Sequence, residues 1–189
     1  KYDSKLCDEF KHNLQKINQI LETEVDVDEL HRDSIRELYR VFAIKDEYEV
    51  AKMHLSTTFK TLDDQFTSWK NISFFFFFLI LYFLKDKKTG RPRKIRFPGY
   101  IAIPIFKLLN SMSGLRGTWL DPLQFSPEKR RDLEHKKIFT DSLDTISKMD
   151  HGEKKMKLTS LVAASFDVKG YGPVREKSYS EFKKTIIDK

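Results

Sequence analysis

Leu6, Phe10, Leu14, Ile17 and Leu21 recur every three or four residues, with Lys, Asp, Glu and Gln between them. An apolar stripe of that period on a polar cylinder is an amphipathic helix. Leu30, Ile35, Leu38 and Phe42 predict a second helix from about Asp28 to Tyr39 or beyond. KDEYEVAKMH continues in helical register, with Tyr48, Ala51 and Leu55 on one side. In STTF, Ser56 stands where an N-cap would open a further helix, whose stripe is Phe59, Leu62, Phe66 and Trp69. Residues 101–112 pattern as another helix, with Pro104 near its start and Gly114 beyond its end as a candidate C-cap. SPEK is a strong helix start: Ser126 as N-cap, Pro127 at the first helical position and Glu128 beside the positive end. That helix is expected to run to about Met149, with His151-Gly152 breaking it. Leu158, Leu161, Val162 and Phe166 mark the next helix, and Tyr179, Phe182 and Ile186 the last.

The stretch Phe74–Leu84, FFFFFLILYFL, breaks this rhythm. From Ile72 to Leu84 the only clearly polar residue is Ser73. A spanning helix needs about 20 apolar residues to cross about 30 Å of hydrocarbon, and this run is shorter. Its aromatic content favours strand, and a continuous apolar run suggests an element covered on both faces. The run is therefore expected to be buried core. The fold class expected is mainly α, a helical accessory domain with a short β element around 72–98. Residues 1–70 read as its N-terminal helical part and 71–189 as its C-terminal part.

Charge changes the picture locally. The net charge is +7. Lys85, Lys87, Lys88, Arg91, Arg93, Lys94 and Arg96 stand against Asp86 alone, so one Gly/Pro-containing loop holds most of the excess. Phosphate contacts need Lys and Arg, which leaves a nucleic-acid-binding module open as an alternative. Single-strand binders, however, interleave aromatics for stacking, and this loop has none before Phe97. The apolar run beside these charges leaves peripheral membrane attachment as a further alternative. The expectation is neither nucleic acid nor membrane.

The usual chemical signatures do not occur. The single cysteine, Cys7, cannot form an internal disulfide or a four-cysteine metal or cluster site. There is no GxxxxGK[ST], GxGxxG or HExxH. His12, His31, His54, His135 and His151 are scattered among polar residues and read as surface or helix-face side chains. Lys1 in place of an initiator Met suggests part of a longer polypeptide, and no secretory leader pattern opens the sequence. No catalytic, cofactor-binding or metal-ligating residue is assigned.

Three stretches are more specific than generic helix: YRVFAIKDEYEVAKMH, TGRPRKIRFPGYIAIPIFKLLNSMSGLRGTWLDPLQFSPEKRR and VKGYGPVREKSY. In this order they resemble the C-terminal domain of the long-chain indolepyruvate (2-oxoacid) ferredoxin oxidoreductases, from about Val41 to the end. That domain typically reads KDEYEVARL, HLAPPLL, GxPxKxxFGPWM, LRGTxxDxFGYTxER and RGFGHVKE. Here HLAPP is replaced by Phe78-Leu79-Ile80-Leu81-Tyr82, and the histidine of GFGHVKE is Pro173.

The resemblance implies a soluble cytoplasmic enzyme that oxidatively decarboxylates a 2-oxoacid to an acyl-CoA, with electrons passing to ferredoxin. It implies thiamine diphosphate, Mg2+ and 4Fe-4S clusters in the full-length protein, none of them held by this segment. The implied partners are the catalytic domains of the same polypeptide, ferredoxin and coenzyme A, with a homo-oligomeric enzyme expected. Candidate interface or structural residues are Asp46, Glu47 and Tyr48; Arg116, Gly117, Thr118 and Asp121; and Gly170, Gly172, Arg175 and Glu176. GLRGTWLD reads either as a turn holding two helices or as a contact to the catalytic core, with Arg116 and Asp121 pairing across the loop or reaching a neighbouring domain. GYGPVRE offers the same two readings.

Overall fold

A computed structural model describes residues 4–44, 46–67, 73–76, 95–124, 127–170 and 173–187 of the chain. The described residues are mainly α-helical, with one short antiparallel β pair. The helices are α1 (Ser4–Leu21), α2 (Asp28–Phe42), α3 (Glu47–Met53), α4 (Phe59–Gln65), α5 (Gly99–Ser111), α6 (Pro127–Ser147), α7 (His151–Phe166) and α8 (Pro173–Ile187). Strands β1 (Ser73–Phe76) and β2 (Ile95–Pro98) pair with Ser73 opposite Pro98 and Phe76 opposite Ile95. This is the β element expected around 72–98. The rest of the apolar run, residues 77–84, lies outside the described residues, as do the side chains of Phe74, Phe75 and Phe76. The boundary expected between 70 and 71, Trp69, Ser126 and most of the basic loop also lie outside them. Among the described residues no helix is long and apolar enough to cross a membrane.

The chain divides into two compact units. The first comprises Lys1–Ile44 with Arg130–Lys189, and the second Lys45–Lys129. In the first unit, α1 and α2 lie antiparallel: Phe10 meets Phe42 edge-on at 5.4 Å, and Asn18 meets His31 at 2.8 Å. Ile17, Ile20, Leu38, Phe139, Leu143, Leu158 and Leu161 are fully or nearly fully buried in one core. The apolar stripes of α1, α2, α6 and α7 explain that core, because each helix hides only the face that water would disfavour. In the second unit, Tyr48, Ala51, Ala102, Phe106, Leu109 and Leu123 form a smaller core where α3 packs on α5.

Several local expectations need correcting. Ser56 does not cap a helix: residues His54–Thr58 form a π-helical turn between α3 and α4. The Ser56 hydroxyl instead donates back to the Met53 carbonyl. Gly114 is not a left-handed cap, since it sits inside a 3-10 turn, Met112–Leu115. Among the described glycines the left-handed ones are Gly117 (φ 72°) and Gly170 (φ 91°). His151-Gly152 does not break a helix but opens α7, and the chain turns just before it, after Ser147. Asp150 takes the extended cap conformation there.

Phe139 is fully buried in the first core. Phe139→Ala is expected to cost about 3–5 kcal/mol, because the deleted ring leaves a cavity that the close-packed helices fill only in part. Val25 is 83% exposed, and Val25→Ala is expected to stay within about 0.5 kcal/mol. Urea denaturation followed by circular dichroism separates the two, and equal costs would contradict this core.

Candidate functional site

Asp46 starts the site in the second unit. It is the N-cap of α3, and its carboxylate accepts from the Tyr48 and Glu49 backbone N–H groups at 3.0 and 3.4 Å. This fixes the first turn of α3, burying Glu47 and Tyr48 and leaving Glu49 at the flank. Arg116 closes on that turn. Its Nε lies 2.9 Å from Asp46, its Nη2 lies 3.1 Å from Glu49, and its guanidinium carbon is 5.9 Å from the Tyr48 ring centre. A planar fork suits two carboxylates at once. Arg116 holds the Glu49 carboxyl below its usual range, despite some opposing burial.

Arg116 belongs to a turn built around Asp121, which is fully buried. Asp121 Oδ1 accepts from the Tyr48 hydroxyl at 2.7 Å and from the Leu123 N–H at 2.9 Å. Oδ2 accepts from the Gly117 N–H at 3.0 Å and lies 3.6 Å from Lys129 Nζ. Gly117, at φ 72°, brings its N–H onto the carboxylate in a conformation that L side chains resist. Thr118 donates through both N–H and hydroxyl to the Leu115 carbonyl, and the Asp121 N–H returns to Thr118. Burial pushes the Asp121 carboxyl up, but the Gly117, Tyr48 and Leu123 donors and Lys129 outweigh it and hold the group low. The Tyr48 hydroxyl is driven well above its ordinary range by burial first and then by Asp121.

The structure therefore brings Asp46, Tyr48, Arg116, Gly117, Thr118 and Asp121 into one network, with Glu47 buried in the same turn of α3. Arg116 and Asp121 do not pair with each other: Arg116 turns to α3, and Asp121 turns inward to Tyr48 and the turn's own amides. The turn points Trp119 and Leu120 outward, 81% and 51% exposed. They occupy the two positions left open in the pattern LRGTxxD, whose other members make the turn's internal bonds.

The other candidates lie in the first unit. Arg175 is bound to Asp132 of α6 at 2.6 Å. Glu176 is exposed in the first turn of α8, and Gly172 lies outside the described residues. Gly170 is needed twice over: its φ is 91°, and a Cβ there would come within 2.8 Å of Val174 Cγ1.

The sequence reading missed a second polar network in this unit. Glu37, 1% exposed, holds Arg40 through Nε at 2.8 Å and Nη2 at 2.6 Å. Arg40 in turn donates to the Ser165 and Val168 carbonyls at the end of α7. The Ser165 hydroxyl gives its proton to Glu37 at 2.5 Å, so the 2.8 Å bond between Ser165 Oγ and His135 Nε2 must be donated by the imidazole. That is the wrong polarity for a histidine that activates a serine. His135 is thus a buried core residue, not a surface one. A signal was present: Glu37, His135 and Ser165 each occupy the buried register of their helices, among Ser34 and Val41, Phe139 and Leu143, and Leu158 and Leu161.

Both networks are held together by partners within their own unit, which suits them to hold shape. Among the described residues no group of three His, Cys, Asp or Glu is placed to hold a metal ion. What this geometry defines is a mainly helical domain with a braced, outward-facing turn. The chain belongs to a protein family of unknown function, DUF6537, which it matches over residues 2–187. No curated protein and no solved structure matches it.

Asp121→Ala is expected to cost about 3–5 kcal/mol, because it strands three donors in a buried site built around a carboxylate. Tyr48→Phe, which leaves Asp121 its other donors, is expected to cost about 1–3 kcal/mol. Urea titrations of both variants check the order, and a smaller loss for Asp121→Ala would refute this account of the turn.

His135 yields a pH prediction. Burial, then the positive charges of Arg40 and Arg175, lower its pKa to about 4. The unfolded chain, with an ordinary histidine near 6.5, binds more protons between about pH 4 and 6.5. Stability is therefore fully present above about pH 6.5 and falls as pH drops towards about 4, by on the order of 3 kcal/mol. Denaturation midpoints at pH 7 and 4.5 should diverge more in the wild type than in His135→Gln. Equal slopes would show that His135 titrates normally.

Proposed function

We propose that this chain is a non-catalytic accessory C-terminal domain of a thiamine-diphosphate-dependent 2-oxoacid:ferredoxin oxidoreductase of the indolepyruvate type. The observation that carries the reading is the joining of two distant motifs. KDEYE and LRGTxxD resemble that enzyme's domain at separate places in the sequence, and here they fold onto each other through Arg116, Tyr48 and Asp121. The residues that support the resemblance are those that build the turn, and the turn holds an exposed Trp119 in a fixed position.

In this reading the domain shapes and stabilises an interface, and Trp119 and Leu120 are the surface it offers to the catalytic domains of the same polypeptide. Those domains carry thiamine diphosphate, Mg2+ and 4Fe-4S clusters, which supply decarboxylation and electron transfer. The enzyme is cytoplasmic and homo-oligomeric, passes its electrons to ferredoxin and its acyl group to coenzyme A.

The native polypeptide that carries this segment, captured with an antibody raised against the chain, provides the test. It is assayed with indolepyruvate and other 2-oxoacids, thiamine diphosphate, coenzyme A and a viologen acceptor. Viologen reduction dependent on a 2-oxoacid is expected from the native polypeptide and none from the isolated segment. A native polypeptide inactive with every 2-oxoacid, or turnover by the segment alone, would overturn the proposal.

A further inference from the structure

We propose that α7 is a self-association surface: its solvent-facing side packs antiparallel against the same side of α7 in a second copy of this chain. The inference does not rest on the reaction proposed above, which turnover tests separately. It starts from what α7 turns to water. The core face of α7 is Leu158, Leu161, Val162 and Ser165. A surface helix normally puts charge opposite such a face. Here the opposite face is Gly152, Met156, Thr159, Ser160 and Ala163, all exposed and none charged. These five line an open groove of about 590 Å³, which Glu24 borders from the α1–α2 loop. The Thr159 hydroxyl donates to the Lys155 carbonyl of its own helix, and the Lys155 ammonium turns aside to the Val25 and Asp26 carbonyls.

The order of residues along this face identifies the occupant. Met156, 63% exposed, and the small Ala163 stand on either side of Thr159 and Ser160. A two-fold axis crossing α7 between Thr159 and Ser160 reverses the helix. It lays Met156 over Ala163 of the second copy, and the second copy's Met156 over Ala163. The exposed Phe166 falls beside Gly152 of the second copy by the same operation. Large side chains meet small ones throughout, and the small residues at the axis allow helix axes to approach to about 8–10 Å. Charge follows the same symmetry. Lys155, Thr159 and Phe166 share one flank of α7 by helical spacing. Glu24 borders the N-terminal end of that flank and has no ion pair among the described residues. Lys169 occupies its C-terminal end, with the ammonium 3.8 Å from the Phe166 ring centre and 3.8 Å from its neighbour Asp167. Glu153 and Lys157 lie on the other flank, one turn apart and opposite in sign. A two-fold axis in the plane of contact exchanges the ends of a helix and keeps its flanks, so each Glu24 meets the second copy's Lys169. An unrelated partner would require no such order about a midpoint.

Sedimentation velocity of the full chain from about 5 to about 300 µM is the test, because a self-association shifts with concentration by mass action. Monomer is expected at the low end and dimer at the high end. Ala163→Arg fills the hole at an exposed position, and is expected to leave the circular dichroism spectrum unchanged and the chain monomeric throughout. Glu24→Lys and Lys169→Glu are each expected to weaken dimerisation about tenfold, and the double variant to return to within about threefold of the wild type. A wild type that stays monomeric at every concentration would sink the proposal, as would a dimer that survives Ala163→Arg. A double variant as weak as either single one would also overturn it, since Glu24 and Lys169 would then not meet.

Discussion

A carboxylate taken out of water must find donors for its lone pairs, and both units are organised by meeting that demand. Left unpaired, a buried charge costs several kcal/mol or more. Asp121 meets it with a tyrosine hydroxyl, two backbone N–H groups and a lysine. Glu37 meets it with both sides of an arginine fork and a serine hydroxyl. Each solution dictates the path of distant chain. Asp121 requires Gly117 in a left-handed turn and Tyr48 across from it. Glu37 requires Arg40 to reach over the end of α7, where it also satisfies carbonyls that a helix terminus leaves without partners.

The two networks differ in what they leave outside. Around Asp121 the carboxylate turns inward and Arg116 turns to α3, while the apex carries Trp119 and Leu120 exposed. A large aromatic on a preorganised turn loses little conformational freedom on contact, which is what makes such residues effective anchors. Around Glu37 the network runs inward to the buried His135, whose pKa is lowered by burial and by two arginines.

Much of the helical fold was legible in the hydrophobic period. The stripes Leu6–Leu21, Leu30–Phe42, Leu158–Phe166 and Tyr179–Ile186 each became one helix, because a run of several turns leaves little freedom in how its apolar face can be hidden. Local signals succeeded where the competing forces were local: Pro127 opens α6, and Asp46 in KDEYE caps α3. They failed where packing outvoted them. Ser56 lost its capping role because the chain runs from α3 through a π-helical turn into α4 without leaving helical geometry. Gly114 lost its left-handed role to Gly117, whose N–H the Asp121 carboxylate requires.

By itself, then, the sequence determined the helical class, most helix positions and the membership of Asp46, Tyr48, Arg116, Gly117, Thr118 and Asp121 in special motifs. Those features are written in period and local chemistry. Tertiary structure alone decided the pairings: Arg116 with α3 and not with Asp121, Tyr48 with Asp121 across 73 residues, and His135 in the core instead of on the surface. A polar side chain at a helix's buried register has two outcomes, solvent or a partner on another helix. Only the folded arrangement of α2, α6 and α7 supplied His135 and Glu37 with Ser165 between them.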